Sequence, residues 1–198
     1  MTTATAPAPA ALPSAGGERP RNLIATGVAL TCAGATMLFG ALLAAYVELR
    51  SHTNEWVPED VELDNYLGNM LVITMLLGSL TVAWSVSAVK RGEGRQAAAA
   101  LTITAGFGLA FINLLSYTAA RVHISPEDHA YGAIVGALAI ALGIVVIAAI
   151  GLALLTMFRV RGSQVGPDNP DQARATAWLW HFATVASIIV WYAVIVRK

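Results

Sequence analysis

The side chains able to ligate a metal or carry a proton are few: four histidines, one cysteine and 12 carboxylates in 198 residues. A metal centre needs several of them converging at ligand spacing. His123 and His129, with Glu127 and Asp128, come nearest to such a set, but no known ligand motif lies behind their spacing, and a solvated loop accounts for it. His52 sits in another polar stretch. Only His181, in Ala177-Trp178-Leu179-Trp180-His181-Phe182, falls inside an apolar run. A single histidine builds no haem or copper site, so no cofactor is expected in this chain. Cys32 has no second cysteine to pair with and is expected to serve packing. The sequence carries no phosphate-binding glycine loop, HExxH or CxxC.

The elements that hold these residues follow from composition. Hydrophobic residues make up 57% of the chain and charged residues 12%, about half the charged share of a soluble domain. Lys plus Arg equals Asp plus Glu, at 12 each, which gives no electrostatic reason to bind nucleic acid. The charges fall into short stretches separated by long apolar runs. These runs extend from about Asn22 to Val47, Tyr66 to Val89, Ala97 to just before Arg121, Ala130 to Phe158 and Ala175 to Val196. Each is long enough, at 1.5 Å per residue, to cross a hydrocarbon core about 30 Å thick. Lipid offers the backbone no hydrogen-bond partner, so the runs must be helical. The fold class is therefore all-α: an integral membrane bundle of five transmembrane helices over 22–198.

Residues 1–21, rich in Ala, Pro, Thr and Gly, lack the apolar core of a signal peptide and are expected to form a disordered cytoplasmic tail. Placing the N-terminus inside puts Arg19, Arg21, Lys90, Arg91, Arg95, Arg159, Arg161 and Arg174 in the cytoplasm. It leaves Arg50, Arg121, Arg197 and Lys198 outside. The positive-inside rule thus favours a cytoplasmic N-terminus and an outer C-terminus. Gly132 and Gly136 open the fourth helix with the spacing that lets helices approach closely, and Gly40 and Ala44 repeat it in the first. Trp178 and Trp180 suggest an interfacial aromatic belt. That belt would set His181 one to two turns into the last helix, near the headgroups. Glu48, beside Arg50, is expected at the outer boundary of the first helix. No internal repeat supports an inverted-repeat transporter, and no charge-lined pathway supports a channel.

Three segments resemble subunit III of the haem-copper respiratory oxidases in its shorter, five-helix bacterial form. Met37-Leu38-Phe39-Gly40-Ala41-Leu42-Leu43-Ala44-Ala45-Tyr46-Val47-Glu48-Leu49-Arg50 is similar to the family's first-helix pattern of Met-Phe-Phe, small and apolar residues, Ala-Tyr and a closing Arg. His129-Ala130-Tyr131-Gly132-Ala133 is similar to its Tyr-Gly-Ser at the start of the next-to-last helix. Ala177 to Phe182 is close to its Trp-x-Trp-His-Phe in the last. The order and spacing are the family's, over the chain from about Asn22 onward.

The sequence also departs from that pattern. Ala35 stands where the family carries a buried Glu, and Leu115 and Thr118 where it has Gln and Glu. Ile140-Ala141-Leu142-Gly143-Ile144-Val145 replaces Gly-Phe-His-Gly-x-His, and Ala183-Thr184 replaces Val-Asp. Buried polar groups need one another as partners, so their joint loss predicts a bundle held by packing alone.

The resemblance implies a non-catalytic component of a bacterial aerobic terminal oxidase in the plasma membrane, packed beside subunits I and II and binding phospholipids. Haem and copper would then belong to those partner subunits. Tyr46, Arg50, Gly132, Gly136, Trp178, Trp180 and His181 would serve the lipid and subunit interfaces. An accessory subunit of nitric oxide reductase and a small orphan transporter are the alternative readings.

Overall fold

The computed structural model describes residues 23–53, 56–57, 65–121 and 129–196. These segments are built from α1 (Leu23–His52), α2 (Asn65–Lys90), α3 (Gly94–Arg121), α4 (Ala130–Arg161) and α5 (Asp171–Trp191), the last continued by one π-helical turn, Tyr192–Val196. All five are long and apolar enough to cross a membrane. The five expected runs match them, the largest differences being at α1, which ends five residues beyond its apolar run, and at α5, which begins four residues earlier than its own. The chain is a multi-pass membrane protein. Residues 1–22, the acidic stretch from Glu59 to Asp64 with Glu55, and His123, Glu127 and Asp128 lie outside the described residues.

Two turns are set by backbone chemistry. Gly92 (φ +77°) ends α2 in the left-handed conformation; its N–H donates to Val89 and that of Glu93 to Ala88. These are the paired bonds of a Schellman cap, which satisfy carbonyls that a helix end leaves open. Ser163 (φ +55°) repeats the motif after α4: its N–H donates to Val160 and that of Gln164 to Arg159. Here a Cβ-bearing residue occupies a position that glycine fills without strain. Pro167, in the α4–α5 loop, approaches Gly92, and Val165 is buried with Val160, Ala97 and Ala173, so the two turns close one end of the bundle together.

Helices α2, α3, α4 and α5 pack α2 on α3, α3 on α4, α4 on α5 and α5 on α2, as a four-helix ring. Helix α1 lies outside that ring, against α4 and α5. Its coverage differs accordingly: 11% of the apolar window of α1 is buried, against 33–44% for the other four. The centre of the ring is filled by Trp180, fully buried, with its ring against Gly78 of α2 and Gly108 of α3. Two chain positions without a Cβ make room for the largest side chain in the core.

Packing does not act alone, contrary to the expectation drawn from the lost polar groups. Hydroxyls bridge the helices: Thr81 to Thr104 (2.7 Å, α2–α3), Ser79 to Thr184 (2.9 Å, α2–α5) and Thr156 to Thr176 (2.8 Å, α4–α5). Thr102 adds a bond to the Met157 sulfur at 3.0 Å. Such bonds average about 0.6 kcal/mol each in a membrane bundle. In each bridge one hydroxyl donates across to the other, which accepts and can turn its own proton to the carbonyl one turn back; Thr104, Thr156, Thr176 and Thr184 all lie within reach of such a carbonyl. The small hydroxyls are therefore satisfied without the ionisable partners that the resemblance led one to expect.

Candidate functional site

Between α2, α3, α4 and α5, at the end of the bundle remote from the Gly92 and Ser163 turns, lies a cavity of about 330 Å³. Gly68 and Leu71 contribute from α2, Phe111, Leu115 and Thr118 from α3, Gly132, Gly136 and Leu142 from α4, and Ser187, Val190 and Trp191 from α5. Ile140 and Ala119, both exposed, stand at its rim and open it sideways between α3 and α4. The wall is almost wholly apolar. Leu115, Thr118 and Leu142, where the resemblance led one to expect Gln, Glu and His, stand in this wall, whereas Ala35, Val145 and Thr184 do not. The indole N–H of Trp191, a wall residue, is itself buried and meets no partner among the described residues.

The glycines bear on the cavity differently. Gly132 is buried, and Gly136 is half-buried with nothing within 4 Å of where its Cβ would be. Gly136 is thus expected space rather than a helix crossing point. Gly40, whose spacing to Ala44 suggested another crossing, also faces open space.

Beside the cavity, next to Gly132, α1 is tied to α4 by an aromatic stack. Tyr46 meets Trp56 edge-on with centroids 5.2 Å apart, and Trp56 meets Tyr131 edge-on at 5.5 Å. All three are buried. Tyr46 is therefore an internal strut and not a residue on the lipid-facing surface. Among the described residues the buried Tyr46 and Tyr131 hydroxyls and the Trp56 indole N–H meet no hydrogen-bond partner. Arg50, one turn beyond Tyr46, is half-buried. Glu48 points outward and bonds to His52 at 2.9 Å, both exposed, as a boundary pair.

The Trp178–His181 segment corrects the belt reading. Trp178 is 55% exposed, but Trp180 is turned inward and its indole N–H lies 3.4 Å from the Met75 carbonyl. The alternation follows from helical geometry: residues two apart point to nearly opposite sides. Sequence inspection alone treats the two tryptophans as equivalent; the signal that separates them is Gly78 and Gly108, whose missing side chains demand a large neighbour. His181 also lies deeper than expected. With α5 starting at Asp171, it is about 15 Å along the helix from that start. It is exposed, and its Nδ1 lies 3.2 Å from the Ser79 hydroxyl of α2.

A second polar cluster closes the opposite end of α4 and α5. Arg159 donates to Gln172 Oε1 (2.8 Å), and Gln172 Nε2 donates to Thr156 Oγ1 (3.2 Å), which is also bonded to Thr176. It pins the cationic end of α4 to the first turn of α5. Among the described residues no three of His, Cys, Asp or Glu come together as a metal site would require.

A family model of cytochrome c oxidase subunit III matches residues 21–197. The chain belongs to the cytochrome c oxidase subunit III family. Individual relatives are distant. Cytochrome c oxidase subunit 3 of Strongylocentrotus purpuratus is 24% identical over 141 residues, 70% of this chain and 54% of that protein. The Gallus gallus protein of the same name is 27% identical over 133 residues, 66% of this chain and 51% of that one. That of Thermostichus vulcanus is 27% identical over 77 residues, covering 39% and 38% respectively. The chain spans about half the length of the animal relatives that it matches.

Proposed function

We propose that this chain is a non-catalytic, subunit III-like component of a bacterial aerobic terminal oxidase. The observation that carries the reading is a subunit III match running through all five membrane helices. In this reading electrons pass from cytochrome c to oxygen, coupled to proton pumping, in partner subunits I and II, where the haem and copper reside. This chain stabilises the catalytic subunit from the side, in the bacterial plasma membrane, with its N-terminus in the cytoplasm and its C-terminus outside. The excess of Lys and Arg on the proposed inner side, eight against four on the outer, supports that orientation.

Lipid binding belongs to the same reading. The apolar cavity, open to the side between α3 and α4, suits an acyl chain. Such a chain would fill space that otherwise lacks contacts and would tie α3 to α4. Gly132 and Gly136 serve by leaving that space empty of side chain.

The test is purification of the tagged chain from its native membrane in a mild detergent, with reduced-minus-oxidised spectra and mass spectrometry of what accompanies it. Haem bands with copper and a large histidine-rich membrane subunit are the expected result. Haem with non-haem iron in place of copper would redirect the reading to nitric oxide reductase. A colourless chain without partners would refute it.

A further inference from the structure

Ser85, Thr104, Thr156, Thr176 and Thr184 are buried, and each has a carbonyl of its own helix within 2.7–3.0 Å as an acceptor. Ser187, 3% exposed, breaks that pattern. Among the described residues its hydroxyl bonds to nothing, whether one turn back on α5 or across to another helix. It lines the apolar cavity between α2, α3, α4 and α5 instead. A donor held in such a wall costs free energy until an acceptor reaches it.

The cavity limits what that acceptor can be. Water at such a site needs about three polar partners. The only other hydroxyl among the described wall residues, Thr118, already gives its proton to the Leu114 carbonyl at 2.8 Å. No Lys, Arg, His, Asp or Glu stands among the described wall residues, so a phosphate or carboxylate would lie there without a counter-charge. A plain hydrocarbon fills the volume but offers Ser187 nothing. What meets every condition is a neutral, lipid-soluble molecule bearing a carbonyl oxygen. A volume of about 330 Å³ is at the small end of ligand pockets and suits one ring. Phe111 and Trp191 supply aromatic wall for it, and the opening between α3 and α4 lets a tail pass out to the bilayer.

We propose that this cavity binds a neutral membrane carbonyl compound of the quinone class, its ring inside and one carbonyl oxygen accepting from Ser187 Oγ. The inference rests on the lipid reading of the same cavity and narrows it, from any chain that fills space to one chemistry that the wall can recognise.

Duroquinone and durene, the same methylated ring without its oxygens, are the probes. Each is titrated by equilibrium dialysis against the full chain, purified in mild detergent with whatever accompanies it, and against protein-free micelles. Duroquinone is expected to bind about fivefold more tightly than durene, the effect of one hydrogen bond. Ser187→Ala should remove that preference and leave durene binding unchanged. Gly136→Leu, which fills the cavity from a position with nothing within 4 Å of its Cβ, should abolish binding of both. An unchanged size-exclusion peak shows that each variant is folded. Equal binding of the two probes, or a preference that survives Ser187→Ala, would overturn the quinone assignment and leave the apolar lipid reading standing. Binding that persists in a folded Gly136→Leu variant, or no binding of either probe to the unaltered chain, would reject the cavity as a ligand site altogether. The oxidase reading is judged separately, by haem co-purification.

Discussion

The indole of Trp180 lies where a side chain on Gly78 would stand: a Cβ built there would be 2.5 Å from the ring. Gly108 faces the same ring from α3, 3.1 Å from where its own Cβ would fall. Trp180 is locked between two backbones, so it cannot yield as the end of a flexible chain would. Gly78→Ala is expected to cost about 1–3 kcal/mol through overpacking. Gly34→Ala, where nothing lies within 4 Å, should be close to neutral. Thermal unfolding of the two variants in the same detergent, followed by circular dichroism, makes the comparison.

Removing the tryptophan should do more harm than crowding it. Trp180→Ala leaves a void at the meeting point of three helices and is expected to lose about 3–5 kcal/mol. Loss of a monodisperse peak in size-exclusion chromatography would register this even where unfolding is irreversible. Trp178→Ala, on the exposed side of the same helix, should leave both the peak and the unfolding temperature nearly unchanged in detergent.

Thr156 and Thr176 form one unit with Gln172 and Arg159. Thr156→Val and Thr176→Val are each expected to cost about 1 kcal/mol, because each removes the bond between α4 and α5. The double variant should cost less than the sum of the two, since both single changes lose that same bond. A double-mutant cycle on unfolding temperatures checks the coupling, and strict additivity would contradict the hydrogen bond.

Ser163 adopts a backbone conformation that side chains resist. Ser163→Gly should stabilise the chain by about 1 kcal/mol by relieving that strain. Gly92→Ser, the reciprocal change in the other turn, should destabilise it by a similar amount. The pair of unfolding temperatures, one raised and one lowered, is the readout.

At the same end of the bundle, hydrogen bonding from Arg91 holds the Glu93 carboxyl below its ordinary value. A carboxyl whose folded value is depressed contributes stability that is fully present above its unfolded value, near 4.5, and is lost as pH falls through the folded value. Glu93→Gln should therefore flatten the decline in unfolding temperature below about pH 4.5 and leave it unchanged at pH 7 apart from the lost pair. Both groups are exposed, so the effect is small, and added salt should shrink it further.

The helices were legible because the bilayer imposes a length and an apolar composition that few other contexts do. What escaped was the facing of individual residues. Trp178 and Trp180 differ by two positions and by everything in environment, since facing depends on which neighbour lacks a side chain. The start of α5 escaped for a related reason. Asp171, Gln172 and Arg174 are polar, so the apolar run begins after them, but Gln172 is bonded to Arg159 and Thr156 and its segment is helical all the same. That shift puts His181 nearly three turns from the start of α5 instead of one to two. The threonine and serine bridges were equally hidden, because a hydroxyl in an apolar run is indistinguishable from one that merely returns to its own backbone.

Helix α1 carries a further consequence. Among the described helices it packs mainly on α4 and α5, is far less covered than the others, and is anchored at one end by the stack of Tyr46 and Trp56 on Tyr131. The four-helix ring and α1 are therefore unequal partners in cooperativity. Amide protons of α1 should exchange at a lower opening free energy than those of α4 and α5, so that the molecule comes apart first as a latch being lifted, and only then as a bundle.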